Sequence, residues 1–186
     1  MTLRIPPTSP DERDERTEEL LAGMLTRPDG TEMNIFSTLA HHPKLLKRWA
    51  AFGATLLLGG RLPARDRELL ILRTAWLCDA EYEWGQHVGI ALGSGVTEAE
   101  IEQIHTAGVS DQWSDTDEAL LTAVDELHES ARITDETWER LASAYDNQQL
   151  IEICMVIGQY HMVAFTLNSL GVEPEPDLPE FPEKQS

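Results

Sequence analysis

Glu83 and His87 are a carboxylate and an imidazole four residues apart, and one helical turn places both on the same face. At that separation they can share a proton, which is the equipment of general acid–base chemistry. A further acid, Glu68, heads the apolar stretch just before them, so that ELLILRTAWLCDAEYEWGQH (68–87) holds all three. Spacing alone also fits an ordinary solvated Glu/His pair, because the chain is rich in acids. What separates the two readings is the set of elements that would have to position these groups.

Those elements are helical. The chain has 186 residues, enough for one domain with a real core. Fourteen Lys and Arg stand against 33 Asp and Glu, a formal net charge of -19. Such a surface repels phosphate backbones and anionic lipid, so neither nucleic acid nor a membrane is an expected partner. The two cysteines, Cys78 and Cys154, lie far apart in apolar surroundings, the usage of a reducing, cytoplasmic compartment. The first residues, MTLRIPPTSPDERDER, lack the apolar run of a signal peptide.

In chain order, residues 1–8 read as an extended arm, and Ser9 with Pro10 opens a helix predicted to run to about Leu25. NIFSTLAHHP (34–43) gives a short helix, and Pro43 opens the next, with Leu45, Leu46, Trp49, Phe52 and Leu56 as its apolar stripe. Gly59-Gly60 breaks the chain and Pro63 restarts it through Leu77. The helix holding Glu83 and His87 continues to about Leu92. Thr97 with Glu100 is a capping box opening a short helix toward His105. Ser114 and Thr134 start two more, the first with His128 near its tail in a capping role. The last runs from about Asn147 to Leu170, apolar on most sides and so buried centrally or shared between subunits. GVEPEPDLPEFPEKQS (171–186) is an acidic, proline-rich tail. The division expected is an N-terminal arm and helix (1–33), a helical domain (34–171) and the tail (172–186).

Seven of the fourteen cations fall between Lys44 and Arg73, against two acids. That cluster is either a surface seam or a local positive field for a substrate carboxylate. Arg73, among Leu69, Leu70, Ile71, Leu72 and Trp76, is expected to be buried, and a buried guanidinium needs a carboxylate partner. Neither zincin spacing nor a CxxC pair is present, so no metal constellation is expected, and no cofactor-binding motif is apparent.

RELLILRTA and AEYEWGQH resemble the signature of the carboxymuconolactone decarboxylase family, which includes the alkylhydroperoxidase D-like proteins. In the peroxidase branch the second segment holds two cysteines and a histidine; those positions here are Ala80, Glu83 and His87, and the family's upstream glutamate is Glu68. The likeness spans about 34–171 and includes QYHMVAFTLNSLGV near the end. It implies an all-α bundle of the alkylhydroperoxidase D-like type, assembled as a homo-oligomer, trimer or hexamer. The decarboxylase branch is similar in having a glutamate at the second cysteine position and keeping the histidine.

The resemblance therefore favours a lyase acting by proton transfer on a small unsaturated lactone or keto acid carrying a carboxylate or carbonyl. His87 would be the general acid or enolate-stabilising donor and Glu83 would set its protonation. Glu68 would be a relay or second acid with its pKa raised by apolar neighbours. Tyr82, Arg73 and His161 are candidate substrate-binding groups, with core packing as the alternative for Tyr82 and His161. Two other functions stay open: an antioxidant peroxidase working through Cys78, and a non-decarboxylating isomerase or binder of a small carbonyl compound in a biosynthetic pathway. A helix carrying both Cys78 and Ala80 would set them about 200 degrees apart, turning the thiol away from the histidine.

Overall fold

The structure, a computed structural model, describes residues 2–104 and 113–184. A single 3-10 turn (Pro10–Glu12) precedes nine α-helices among the described residues: α1 Glu15–Ala22, α2 Asn34–Leu39, α3 Pro43–Leu58, α4 Ala64–Leu77, α5 Glu81–Gly93, α6 Glu98–Gln103, α7 Asp115–Ser130, α8 Asp135–Ala144 and α9 Asn147–Leu170. Among those residues there is no strand beyond an isolated bridge, Thr26 to Glu32. The all-α expectation holds. The stretch toward His105 lies outside the described residues.

α4 is the axis. Its nine consecutive residues Arg67–Ala75 are all buried, and it packs against α5, α7 and α9. Leu70 and Ile71 enter the core built with α7, α8 and α9, and Leu69, Leu72 and Ala75 enter a second core with α5 and α6. The sequence points to α9 as a helix buried centrally or shared between subunits, and central burial is only partly met. α9 buries Ile153, Val156, Ile157, Val163, Ala164 and Leu167 but leaves Ile151, Met155, Met162 and Phe165 exposed. It is long and apolar enough to cross a membrane by length and composition, yet half of it is buried inside the protein.

The predicted first helix is split. Ser9 does cap a turn, but Arg13 is extended at φ -103 and ψ 141. Asp14 then caps α1 by accepting from the Thr17 amide at 2.8 Å. The break lets the Arg13 guanidinium reach Glu32 with two bonds of 2.8 Å and the Thr8 carbonyl at 2.6 Å. The arm before it is tied down as well, with the Arg4 and Ile5 amides donating to the Leu170 carbonyl. Gly171 closes α9 at φ 70, and a Cβ there would lie 2.2 Å from the Thr2 carbonyl oxygen. Glycine is required by both the left-handed backbone and the close approach.

The tail folds back over the α4–α5 corner. Phe181 stacks on Trp76 with centroids 5.4 Å apart and meets the edge of Trp84 at 5.6 Å. Lys184 lies 4.8 Å over the Trp76 ring and pairs with Asp79. Leu178 sits so close to Gly85 that a Cβ on that glycine would be 3.0 Å from the Leu178 Cβ. Glu175 is buried and accepts from the Tyr82 hydroxyl at 3.0 Å, the Gln86 amide at 2.7 Å and the Asn34 backbone at 2.8 Å. Glu175→Ala leaves three donors stranded at a buried joint and is expected to cost about 1–3 kcal/mol, read as a fall in Tm.

Candidate functional site

Two consecutive helices deliver the acidic and imidazole groups. After α4 the chain turns through Asp79, at φ 51, and re-enters a helix with Ala80 as N-cap. This short break sends α5 back along α4, so that Glu68, early in α4, faces His87, midway along α5. The His87 Nδ1 lies 2.7 Å from Glu68 Oε2. A carboxylate only accepts, so Nδ1 carries the proton and Nε2 is the ring nitrogen left for an occupant. Glu68 has no solvent exposure, and its other oxygen accepts from the adjacent Arg67 at 2.9 Å. The Tyr160 ring stands edge-on to the imidazole, centroids 5.0 Å apart, and completes its packing.

Glu83 is in the opposite condition. It is 3% exposed, and neither carboxylate oxygen has a hydrogen-bond partner among the described residues. Burial therefore drives its pKa well above the ordinary carboxylate value, and the protonated acid is the favoured form. The expected proton sharing between Glu83 and His87 is not what forms. His87 turns its Nδ1 to Glu68 on the neighbouring helix, and Glu68 is held by Arg67 and His87 in place of the apolar surroundings expected for it.

Glu83 and His87 both line a cavity of about 470 Å³, together with Tyr82, Gln86, Gln159 and Tyr160 on the polar side. The rest of the wall is apolar, with Met24, Phe36, Trp49, Ile90 and Val163 prominent. Gln159 leaves its buried Oε1 without a partner, and the exposed Lys47 stands among the lining residues. Glu68 is not part of the lining; it acts on the cavity through His87. Tyr82 does line it, but its hydroxyl is engaged by Glu175 and the Ile35 amide. Burial and the Glu175 charge push its pKa upward, which keeps it a donor.

Two of the substrate-binding candidates lie elsewhere. Arg73 is buried with the carboxylate partner its surroundings demand, Asp125, at 2.7 and 2.9 Å, and also donates to the Ile104 carbonyl. The cationic cluster is likewise consumed internally along α4, where Arg65 meets Asp117 and Glu100 and Arg67 meets Glu68. His161 faces away from the cavity, toward His128 and Cys78. His128 approaches both, at 3.0 Å to His161 and 4.0 Å to the Cys78 sulfur, so these three metal-ligand side chains converge although no sequence spacing announced them. Cys78 ends α4 and does not share a helix with Ala80, and burial, with the Asp79 charge beside it, pushes its thiol up to about 11. A thiol so placed, outside the cavity and disfavoured as thiolate, is a poor peroxide nucleophile.

Sequence reasoning did not single out Arg67, Gln159, Tyr160 or Glu175 for the site. Gln159 and Tyr160 stand in the QYH run of α9, beside the histidine that drew attention; Glu175 is one acid among many in the tail, with nothing local to mark it.

Residues 43–126 match the Carboxymuconolactone decarboxylase family. Among curated proteins none matches the chain. Several solved structures share the fold. An alkylhydroperoxidase AhpD core protein, peroxidase-related, from Ralstonia eutropha JMP134 is 18% identical, with 95% of each chain covered and a TM-score of 0.74. The debrominase Bmp8 in complex with 2,3,4-tribromopyrrole is 17% identical, with 95% of this chain and 94% of that one covered and a TM-score of 0.77. A putative antioxidant defence protein AhpD from Agrobacterium tumefaciens is 18% identical over 75% of this chain and 96% of its own, with a TM-score of 0.69.

Proposed function

We propose, from the match of residues 43–126 to the carboxymuconolactone decarboxylase family, that the chain is a proton-transfer lyase that removes CO2 from a small unsaturated lactone or keto acid. One observation carries the proposal. Two side chains in unlike settings face one largely apolar cavity: Glu83, buried without a hydrogen-bond partner and with its pKa raised by that burial, and His87, whose ring is oriented by Glu68. Such a divergence of environments is how a site obtains separate acid and base roles from ordinary side chains.

The chemistry follows from the charges. When the carbon–carbon bond to the substrate carboxylate breaks, CO2 departs and the bonding electron pair passes into the conjugated carbonyl, whose oxygen becomes an enolate. The neutral Glu83 acid donates a hydrogen bond to that oxygen where no water competes. His87 first takes a second proton from solvent on Nε2, delivers that proton to the carbon that lost CO2, and returns to the Nδ1–H form held by Glu68. Glu68 is a positioning residue, holding the Nδ1 proton and so the ring's orientation. Lys47 supplies a cation for the incoming carboxylate. The aromatic wall of Phe36, Trp49 and Tyr82 suits a flat unsaturated ring, and the similarly folded debrominase holds one in its bromopyrrole complex.

The test is CO2 release from a panel of unsaturated lactone acids and keto acids in deuterated water. Release with one deuterium entering the product is expected. Turnover with deuterium exchange but no carbon loss would move the assignment to an isomerase. A peroxidase draws less support, since Cys78 stands outside the cavity.

A homo-oligomer is part of the same proposal. Ile151, Met155, Gly158, Met162 and Phe165 form an exposed stripe along α9 at alternating steps of four and three, the spacing of a helix that packs along another. A Cβ on Gly158 would meet nothing within 4 Å, which leaves room for a second copy's helix. Met162→Lys with Phe165→Lys is expected to reduce the mass measured by light scattering to that of one chain; an unchanged mass places the contact elsewhere. A cytoplasmic setting accords with the two free thiols.

A further inference from the structure

Outside the cavity, three helices bring one thiol sulfur and two imidazole nitrogens to a single point. Cys78 comes from the end of α4, His128 from the last turn of α7 and His161 from the middle of α9, with their donor atoms all within 4.8 Å of one another. We propose that these three side chains bind one divalent cation of the zinc class, leaving a fourth position open to water or an external ligand.

The geometry is close to what such an ion demands. Zinc holds sulfur at about 2.3 Å and imidazole nitrogen at about 2.0 Å in a tetrahedron, which sets the donors roughly 3.3–3.6 Å from one another. Here the two nitrogens are 3.0 Å apart and the sulfur is 4.0 Å from the nearer one. The sulfur and His161 Nε2 lie within 4.8 Å of each other, so side-chain rotations that move the sulfur inward by up to about 1 Å separate this arrangement from coordination.

The surroundings orient the donors. His161 donates its Nδ1 proton to the Ile157 carbonyl at 2.8 Å, which fixes the tautomer and leaves Nε2 as a bare acceptor aimed at His128. A backbone acceptor behind a ligating imidazole is the usual means of holding it. Phe165 stands edge-on to the same ring at 5.8 Å. The Cys78 carbonyl accepts from the Asn168 side chain at 2.7 Å, which pins the end of α4 against α9. With His161 Nε2 bare, a single proton on His128 Nδ1 bridges the two rings. A metal ion takes the place of that proton and gathers the sulfur as a third ligand.

One sulfur and two nitrogens select against magnesium and calcium, which require oxygen. The net charge of -19 favours a cation over an anion at any exposed position. None of the three residues lines the cavity, so this site is separate from the Glu68–His87 pair and does not depend on the proposed reaction. Its consequence is to cross-link α4, α7 and α9.

The full-length protein, stripped by a chelator, is titrated with cobalt(II) and then with zinc. One cobalt per chain is expected, with tetrahedral visible bands and a thiolate-to-cobalt charge-transfer absorption, both displaced by zinc. Zinc also raises Tm. Cys78→Ser and His161→Ala each lower affinity by at least about 100-fold, the upper end of what losing an outer-shell partner alone costs. His87→Ala binds as the unaltered protein does. Circular dichroism of each variant separates lost ligation from lost fold, and Cys78→Ser keeps the side-chain volume. Absence of the charge-transfer band, retention of affinity by Cys78→Ser within two- to threefold, or loss of binding in His87→Ala overturns the assignment.

Discussion

His87→Asn is expected to lower turnover by roughly 10²–10⁴-fold, the worth of a positioned acid–base group, while leaving the fold nearly as stable as before. The asparagine amide can stand where Nδ1 stands and donate to Glu68 Oε2, the bond that His87 makes at 2.7 Å. It has no counterpart to Nε2 and moves no proton. His87→Ala should lose as much activity and also strand an oxygen of a fully buried carboxylate, costing about 1–3 kcal/mol. The pair of variants separates chemistry from support. Glu68→Gln tests the positioning role: its amide can present a donor where His87 needs an acceptor, which disfavours the working tautomer, and a loss of about 10–100-fold is expected. Asparagine at 87 retaining more than a tenth of the activity would remove the imidazole from the mechanism.

Glu83→Met is expected to make the protein more stable and inactive together. The glutamate keeps two buried oxygens without donors, a burden of about 1–3 kcal/mol that a thioether of similar length does not carry. Its sign with pH follows from the raised pKa. Below the usual carboxylate range Glu83 is protonated in folded and unfolded chains alike, and no further, pH-dependent penalty arises. As pH rises through that range the unfolded chain releases the proton and the folded one retains it, so stability falls by up to about 1.4 kcal/mol per pH unit. The fall continues until the folded pKa is reached. Urea unfolding at several pH values should therefore show the gap between Glu83→Gln and the unaltered protein widening from acid toward neutral pH. A gap independent of pH would mean that the carboxyl ionises in place. Such a trade of stability for a pre-set acid is common where chemistry is done.

The helices were legible because their ends are written locally. Asp146, Thr134, Ser114, Thr97 and Pro43 each begin a helix where capping chemistry says they should. The split at Arg13 was hidden because two acceptable caps, Ser9 and Asp14, lie five residues apart, and a distant partner, Glu32, decides between them. The site was half visible. Glu83 and His87 reach one cavity because they share a helical face, a local property. That His87 bonds to Glu68 in preference to Glu83 depends on how α5 returns along α4 after Asp79, which spacing along one helix cannot reveal. The side to which His161 points was hidden for a related reason: α9 is apolar on most sides, so its sequence does not say which side meets the cavity. Its neighbours Gln159 and Tyr160 do so instead. Arg73 and Asp125, 52 positions apart, could be matched only as a demand for some acid.

The fastening of Tyr82 by Glu175, 93 positions later, bears on how the molecule is made. At about 5–20 residues per second, a ribosome needs on the order of 5–20 seconds to travel from one to the other. Throughout that interval α5 emerges with Trp84 uncovered, Gly85 unshielded by Leu178 and the Tyr82 hydroxyl still wet. The wall of the cavity is thus among the last features of the nascent polypeptide to mature.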